Sequence, residues 1–171
     1  MNPLLRLLVL CSLLLLGGCF VAEPRQADGY VISFAKPTND ESQILIQNNC
    51  ESGYQITKIE IGHGKDFNDK NPTLLKLTKA PLGLLEIPFT NLPSYVTIDS
   101  AGSMPLPPTL PFYVQTYVRD SETEDSYISS SIFFESTPQE GKAIILDYSS
   151  GSFKQIPIRS VDLPGGICSQ R

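Results

Sequence analysis

Apolar and polar positions alternate along most of this chain in short runs of period two, the spacing of half-buried strands. Tyr30-Val31-Ile32-Ser33-Phe34 places Tyr30, Ile32 and Phe34 on one face. Gln43 to Gln47 is a second run, and Gln55 to Ile61 a third in which Thr57, Ile59 and Ile61 point inward while Lys58 and Glu60 face water. The connector Asn48-Asn49-Cys50-Glu51-Ser52-Gly53 is polar and contains glycine, so the second and third runs are expected to pair as a hairpin. Gly62 and Gly64 end the third run, and residues 66–72 read as a polar loop. Thr73 to Thr78 and Leu84 to Phe89 are further strand candidates, although Leu74-Leu75-Lys76-Leu77 also suits one helical turn. Ser94 to Asp99 alternates again, with Val96 and Ile98 inward.

Residues 103–111, Ser-Met-Pro-Leu-Pro-Pro-Thr-Leu-Pro, cannot lie inside a sheet because proline has no N–H to donate. They are expected to carry the chain from one sheet to the other. Their PxxP spacings also suit aromatic grooves, but a connector needs no such partner. Phe112 to Arg119 and Tyr127 to Glu135 then flank a polar loop. Symmetric pairing sets Val118 against Ile128, Val114 against Ile132 and Phe112 against Phe134 on a core face. Tyr113, Tyr117 and Phe133 fall on the other face, partly exposed, as a possible interaction surface. Ala143 to Tyr148 and Phe153 to Ile158, joined through Ser149-Ser150-Gly151-Ser152, complete the sheet. Eight to ten short strands without a helix-length apolar period predict an all-β fold, an antiparallel sandwich of the immunoglobulin-like or Greek-key type.

The first nineteen residues follow another rule. One cation at Arg6 precedes an apolar run, Leu7 to Leu16, that is too short to cross a hydrocarbon core. The run ends in Leu16-Gly17-Gly18-Cys19, which resembles the lipobox of bacterial lipoproteins. The resemblance implies cleavage after Gly18, a diacylglyceryl group on the Cys19 sulfur and acylation of the new amine. Two or three acyl chains hold a protein stably at a bilayer. Phe20, with no Asp after the cysteine, implies the outer membrane by resemblance to the sorting rule of enteric bacteria. The organisation expected is therefore a signal peptide over 1–18, the lipidated cysteine and a tether over 19–28, and one sandwich domain over 29–171. An extended tether of that length spans roughly 30 Å, so the domain works on the periplasmic side, close to the membrane.

Charge and cysteines narrow the partners. The chain has 13 basic and 18 acidic residues, a net charge of −5, and no tryptophan. Without a basic run it offers no footprint for nucleic acid and no polybasic grip on headgroups. Of four cysteines, Cys11 leaves with the leader and Cys19 takes the lipid. Cys50 and Cys168 remain, and an oxidising compartment favours a disulfide between them.

Little in the sequence carries chemistry. His63 is the single histidine and stands between glycines in a turn, with no nucleophile elbow or zinc motif beside it. Asp120, Glu122, Glu124 and Asp125 crowd carboxylates on one loop, as Ca²⁺ requires, but lack the glycine and distal glutamate of an EF-hand. The cluster Asp66-Phe67-Asn68-Asp69 is a weaker candidate of the same kind. The expected reading is a non-enzymatic, lipid-anchored protein of the outer membrane, without cofactor or metal, that binds or positions another envelope protein. The alternatives are a module binding carbohydrate or Ca²⁺ and a hydrolase-inhibitor lipoprotein.

Overall fold

The computed structural model describes residues 31–37, 41–48, 54–81, 83–102, 105–120, 126–147 and 150–160. Ten strands occur among them: β1 (Val31–Lys36), β2 (Gln43–Asn48), β3 (Tyr54–His63), β4 (Thr73–Leu77), β5 (Gly83–Pro88), β6 (Val96–Ser100), β7 (Phe112–Asp120), β8 (Ser126–Phe134), β9 (Lys142–Asp147) and β10 (Ser152–Pro157). A single 3-10 turn, Ile158–Ser160, follows. The strands form two antiparallel five-stranded sheets, ordered β10-β9-β1-β2-β5 and β6-β4-β3-β7-β8. The expected all-β sandwich is therefore the observed fold. Leu74 to Leu77 belongs to a strand.

The core lies between the sheets and is built by the period-two pattern. Ile32, Phe34, Ile44, Ile46, Leu85 and Ile87 face inward from the first sheet. Ile59, Ile61, Leu75, Phe112, Val114 and Phe134 meet them from the second. At the centre the Phe34 ring touches two rings of the facing sheet. Its centroid is 5.1 Å from that of Phe112, edge-on, and 5.5 Å from that of Phe134. The latter two are themselves 5.3 Å apart. Each such pair adds about 0.5–1.5 kcal/mol beyond area burial.

Three pairings differ from expectation. The second and third runs are not a hairpin: β2 pairs with β1 and β5 in one sheet, and β3 pairs with β4 and β7 in the other. A polar connector with glycine serves an arch between sheets as well as a tight turn. The proline-rich segment does not change sheets, because β6 and β7 lie in the same one. It carries the chain from the edge strand past β4 and β3, and the Pro111 carbonyl accepts from the Gly64 N–H at 2.9 Å.

The third difference is one of register. β7 and β8 pair as expected from Phe112↔Phe134 to Thr116↔Ser130, and then Tyr117 meets Ile128 and Val118 meets Tyr127. Ser129 is the extra residue, a β-bulge. Thr57 is a second extra residue, on β3, between the pairs Ile56↔Val118 and Lys58↔Tyr117. A bulge reverses which parity faces inward. Ile56 is consequently buried where Thr57 was expected, and Ile128 turns outward. Ile98 is likewise exposed, on edge strand β6, which among the described residues has a neighbour on one side only.

Replacing Phe34 by alanine removes the bridge between sheets and leaves a cavity against two rings. The expected loss is about 3–5 kcal/mol in urea unfolding, with the m-value unchanged. A loss under about 1 kcal/mol would show that the ring cluster does not hold the sheets together.

Candidate functional site

The outward face of β3, β7 and β8 collects the residues on which a surface function can rest. Cross-strand pairing arranges them in rows of three. Gly62, Tyr113 and Phe133 form the first row, Glu60, Gln115 and Ser131 the second, and Lys58, Tyr117 and Ile128 the third. Glu60 ties the rows together: one carboxylate oxygen accepts from the Tyr113 hydroxyl and the other from the Tyr117 hydroxyl, each at 2.8 Å. In the second row the Gln115 amide donates to Ser131 Oγ at 3.0 Å.

The first row is covered. Tyr113 has no exposed surface, contrary to the expectation of a partly exposed stripe. On one side its ring lies against Gly62, where a Cβ would stand 2.4 Å from the ring atoms. On the other side Phe67 caps it, with centroids 5.4 Å apart, and also reaches Phe133 at 6.4 Å. Phe67 belongs to the 66–72 stretch that reads as polar, and it adopts a left-handed backbone with φ of 50°. That conformation costs roughly 1–2 kcal/mol for a residue with a Cβ; the two ring contacts offset it.

Three grips hold this loop in place. The Asp69 carboxylate accepts from the His63 N–H at 2.8 Å and the Asn71 N–H at 2.9 Å. Those two main-chain bonds are what hold its carboxyl below the usual range. The Gly64 N–H donates to Pro111, and Gly102 packs where a Cβ would stand 2.2 Å from the Asn71 carbonyl. Lys65 forms an ion pair with Glu135 just beyond β8, and its ammonium lies 5.9 Å from the Phe133 ring centre. Asp69 of the loop is thus used in folding it. Asp69 engages the His63 main chain.

The third row stays accessible. Tyr117 is half-buried, with the Lys58 ammonium 3.6 Å from its ring centre, and Ile128 beside it is 50% exposed. Phe133 is half-buried and meets Phe153 of β10 at 5.6 Å; Phe153 is 39% exposed. These side chains adjoin β8, an edge strand paired on one side only among the described residues.

The remaining expected sites fall elsewhere. Cys19, Cys50 and Cys168 lie outside the described residues, as do Glu122, Glu124 and Asp125, while Asp120 is described only as the last residue of β7. Among the described residues no three His, Cys, Asp or Glu side chains are grouped to hold a metal ion, and no helix is long and apolar enough to cross a membrane. Sequence reading missed Glu60, Phe67, Ile128 and Phe153. The bulge at Ser129 hides Ile128, and a lone phenylalanine among Asp66, Asn68 and Asp69 gives no period to detect.

Comparison with known proteins finds no family model, no curated protein and no solved structure that matches this chain.

Two tests follow from this geometry. Burial, and then the bond to Glu60, push the Tyr117 hydroxyl up to about 12 and Tyr113 further still. An unfolded tyrosine ionises near 10, so this stabilisation is complete below pH 10 and is lost as the pH rises through about 12. Melting temperature is expected to fall across that interval, and Tyr113→Phe with Tyr117→Phe to flatten the fall. An identical profile in the double variant would remove these tyrosines as its cause. Gly62→Ala drives a methyl into the Tyr113 ring and is expected to destabilise by about 1–3 kcal/mol, whereas the same change in an exposed strand glycine stabilises. Urea titration reads the sign.

Proposed function

We propose that this chain is a lipid-anchored protein of the cell envelope, held at the periplasmic side of the outer membrane by acyl chains on Cys19. It has no catalysis of its own and binds or positions another envelope protein. The anchor rests on the lipobox resemblance at Leu16 to Cys19. The binding role rests on one observation: on or beside the edge strand β8 two sets of partly exposed apolar side chains, Tyr117 with Ile128 and Phe133 with Phe153, flank the Gln115–Ser131 row.

Two physical features favour a protein partner. Soluble sheets protect their edges with proline, lysine or inward charge, and Ser126-Tyr127-Ile128-Ser129-Ser130-Ser131-Ile132-Phe133-Phe134 contains none of these. Among the described residues β8 has a strand neighbour on one side only; such an edge can accept a strand, while the adjoining side chains supply specificity. In addition, the patch mixes rings, a cation, a carboxylate and hydroxyls, which resembles the centre and rim of an interface. The carbohydrate alternative is weaker here, because a sugar stacks on an open ring face and Lys58 occupies that of Tyr117.

In-cell crosslinking of the full-length lipidated protein, followed by detergent extraction and mass spectrometry, checks the proposal. A stoichiometric envelope partner is expected, and Ile128→Asp is expected to lower its recovery more than about tenfold, the loss of one interface anchor. Cys19→Ala should release the protein from the membrane fraction. Recovery of the protein alone, or a partner retained by Ile128→Asp, would refute the assignment of this surface.

A further inference from the structure

One cross-strand row spans the whole outer face of the second sheet. Thr97 of β6 pairs with Lys76 of β4, Lys76 with Lys58 of β3, Lys58 with Tyr117 of β7, and Tyr117 with Ile128 of β8. No member of the row is buried: Thr97 and Lys76 are exposed, Lys58 and Tyr117 half-buried, and Ile128 is 50% exposed. Four strand spacings make it about 19 Å long. The bulge at Ser129 brings Ile128 into line and completes it.

The middle of this row breaks a rule of sheet pairing. Lys58 and Lys76 stand directly opposite each other, and like charges so placed are destabilising. Neither has an ion-pair partner among the described residues, whereas Lys65 and Lys154 have Glu135 and Asp147. The second row supplies one carboxylate, Glu60, but both of its oxygens accept from tyrosine hydroxyls. Lys58 leans away from Lys76, with its ammonium 3.6 Å from the centre of the Tyr117 ring. An ammonium has three donors. A ring face does not satisfy all of them, and among the described residues no oxygen accepts from this one. The chain carries 18 acidic residues against 13 basic ones, yet its fold sets two cations side by side on an open surface. A local rule broken without compensation inside the molecule marks a functional site.

We propose that Lys58 and Lys76 receive carboxylates of the partner, so that the envelope protein seated at Tyr117 and Ile128 presents an acidic segment to the β3–β4 end of the row. The inference rests on the protein-binding role proposed above and adds the chemistry of the partner. Charge complementarity supports it, and the two ends of the row divide the work. Ile128 and Tyr117 offer apolar contact. The lysines set orientation, because a partner turned end for end would bring its carboxylates to Ile128 and leave the ammoniums unmatched. The chain as a whole has a net charge of −5 and repels an acidic partner at a distance, so the attraction that seats it is local. A carboxylate placed between the two ammoniums also cancels their repulsion, so binding removes a cost that the free protein carries.

The test treats cell envelopes holding the full-length lipidated protein with a water-soluble carbodiimide, which joins an amine to a carboxylate in contact with it. Linked peptides are mapped by mass spectrometry. Lys65 linked to Glu135 within the chain reports that the reagent has reached this face. The expected product joins Lys58 or Lys76 to an aspartate or glutamate of another envelope protein. Recovery of that protein is measured separately with a photo-crosslinking benzoyl-phenylalanine at Ser131, which does not depend on lysine. Lys58→Glu with Lys76→Glu is expected to lower recovery more than about tenfold, while Lys70→Glu, exposed and off the row, leaves it unchanged. Lys76→Glu alone is expected to raise the melting temperature, since opposite charges then face each other, and still to lower recovery. A fall in both would assign the lysines to folding and overturn the inference. A partner captured from Ser131 that both lysines fail to touch, or that the double variant keeps, overturns it and leaves the protein-binding role standing. Capture of no protein from any of these positions removes both. Lysines linked to no protein, but shielded from acetylation by vesicles containing phosphatidylglycerol, would give the row to lipid and overturn it as well.

Discussion

The contact on which the fold depends is the meeting of Phe34 with Phe112 and Phe134 across the sandwich. Phe34 comes from the middle strand of one sheet, and its partners from β7 and the edge strand β8 of the other. A sheet can bury its apolar face only against a second layer. These rings, the largest side chains fully or nearly buried between the layers, fix how the two sheets align. The aliphatic residues around them then fill space at close packing. Phe153 extends the cluster outward, touching Phe134 at 6.3 Å and Phe133 at 5.6 Å, so core and surface share one continuous stack of rings.

The second sheet is layered in the opposite sense on its outer side. There a polar loop, not a sheet, supplies the cover, and one ring does the covering. Phe67 is presented by a left-handed backbone that Asp69, Gly64 and Gly102 each help to hold. Beneath it, Tyr113 is buried yet keeps its hydroxyl bonded to Glu60. Burial of a hydroxyl without such a partner would be costly. The same carboxylate holds Tyr117, so the buried and the accessible halves of the face are mechanically joined.

What could be read from the sequence was local. Period-two runs located every strand to within a few residues, because inward and outward positions alternate visibly in segments such as Gln43 to Gln47. Partners were less legible. Nothing in Asn48 to Gly53 distinguishes a turn within a sheet from an arch between sheets, and prolines at 105, 107, 108 and 111 exclude pairing without saying where the chain goes. The bulges at Thr57 and Ser129 were invisible for a related reason. An extra residue changes parity, yet Thr and Ser are at home on either face, so Ile128 was assigned to the core it does not enter. Tyr113 was placed on the correct face, but its burial depends on Phe67, which lies far away in sequence and in a stretch without pattern.

The bulge at Ser129 has a consequence for β8, which among the described residues has a strand neighbour on one side only. An added strand would extend hydrogen bonds residue for residue, and the irregularity at 129 would break that ladder on the outer side as it does on the paired one. The stretch beyond the bulge, Ser130 to Phe134, pairs regularly and is about 17 Å long. Its side chains alternate between Ser131 and Phe133 on the outer surface and Ile132 and Phe134 toward the core. If a partner strand adds to this edge as proposed, the number of its residues held in register is set by this protein and not by the visitor.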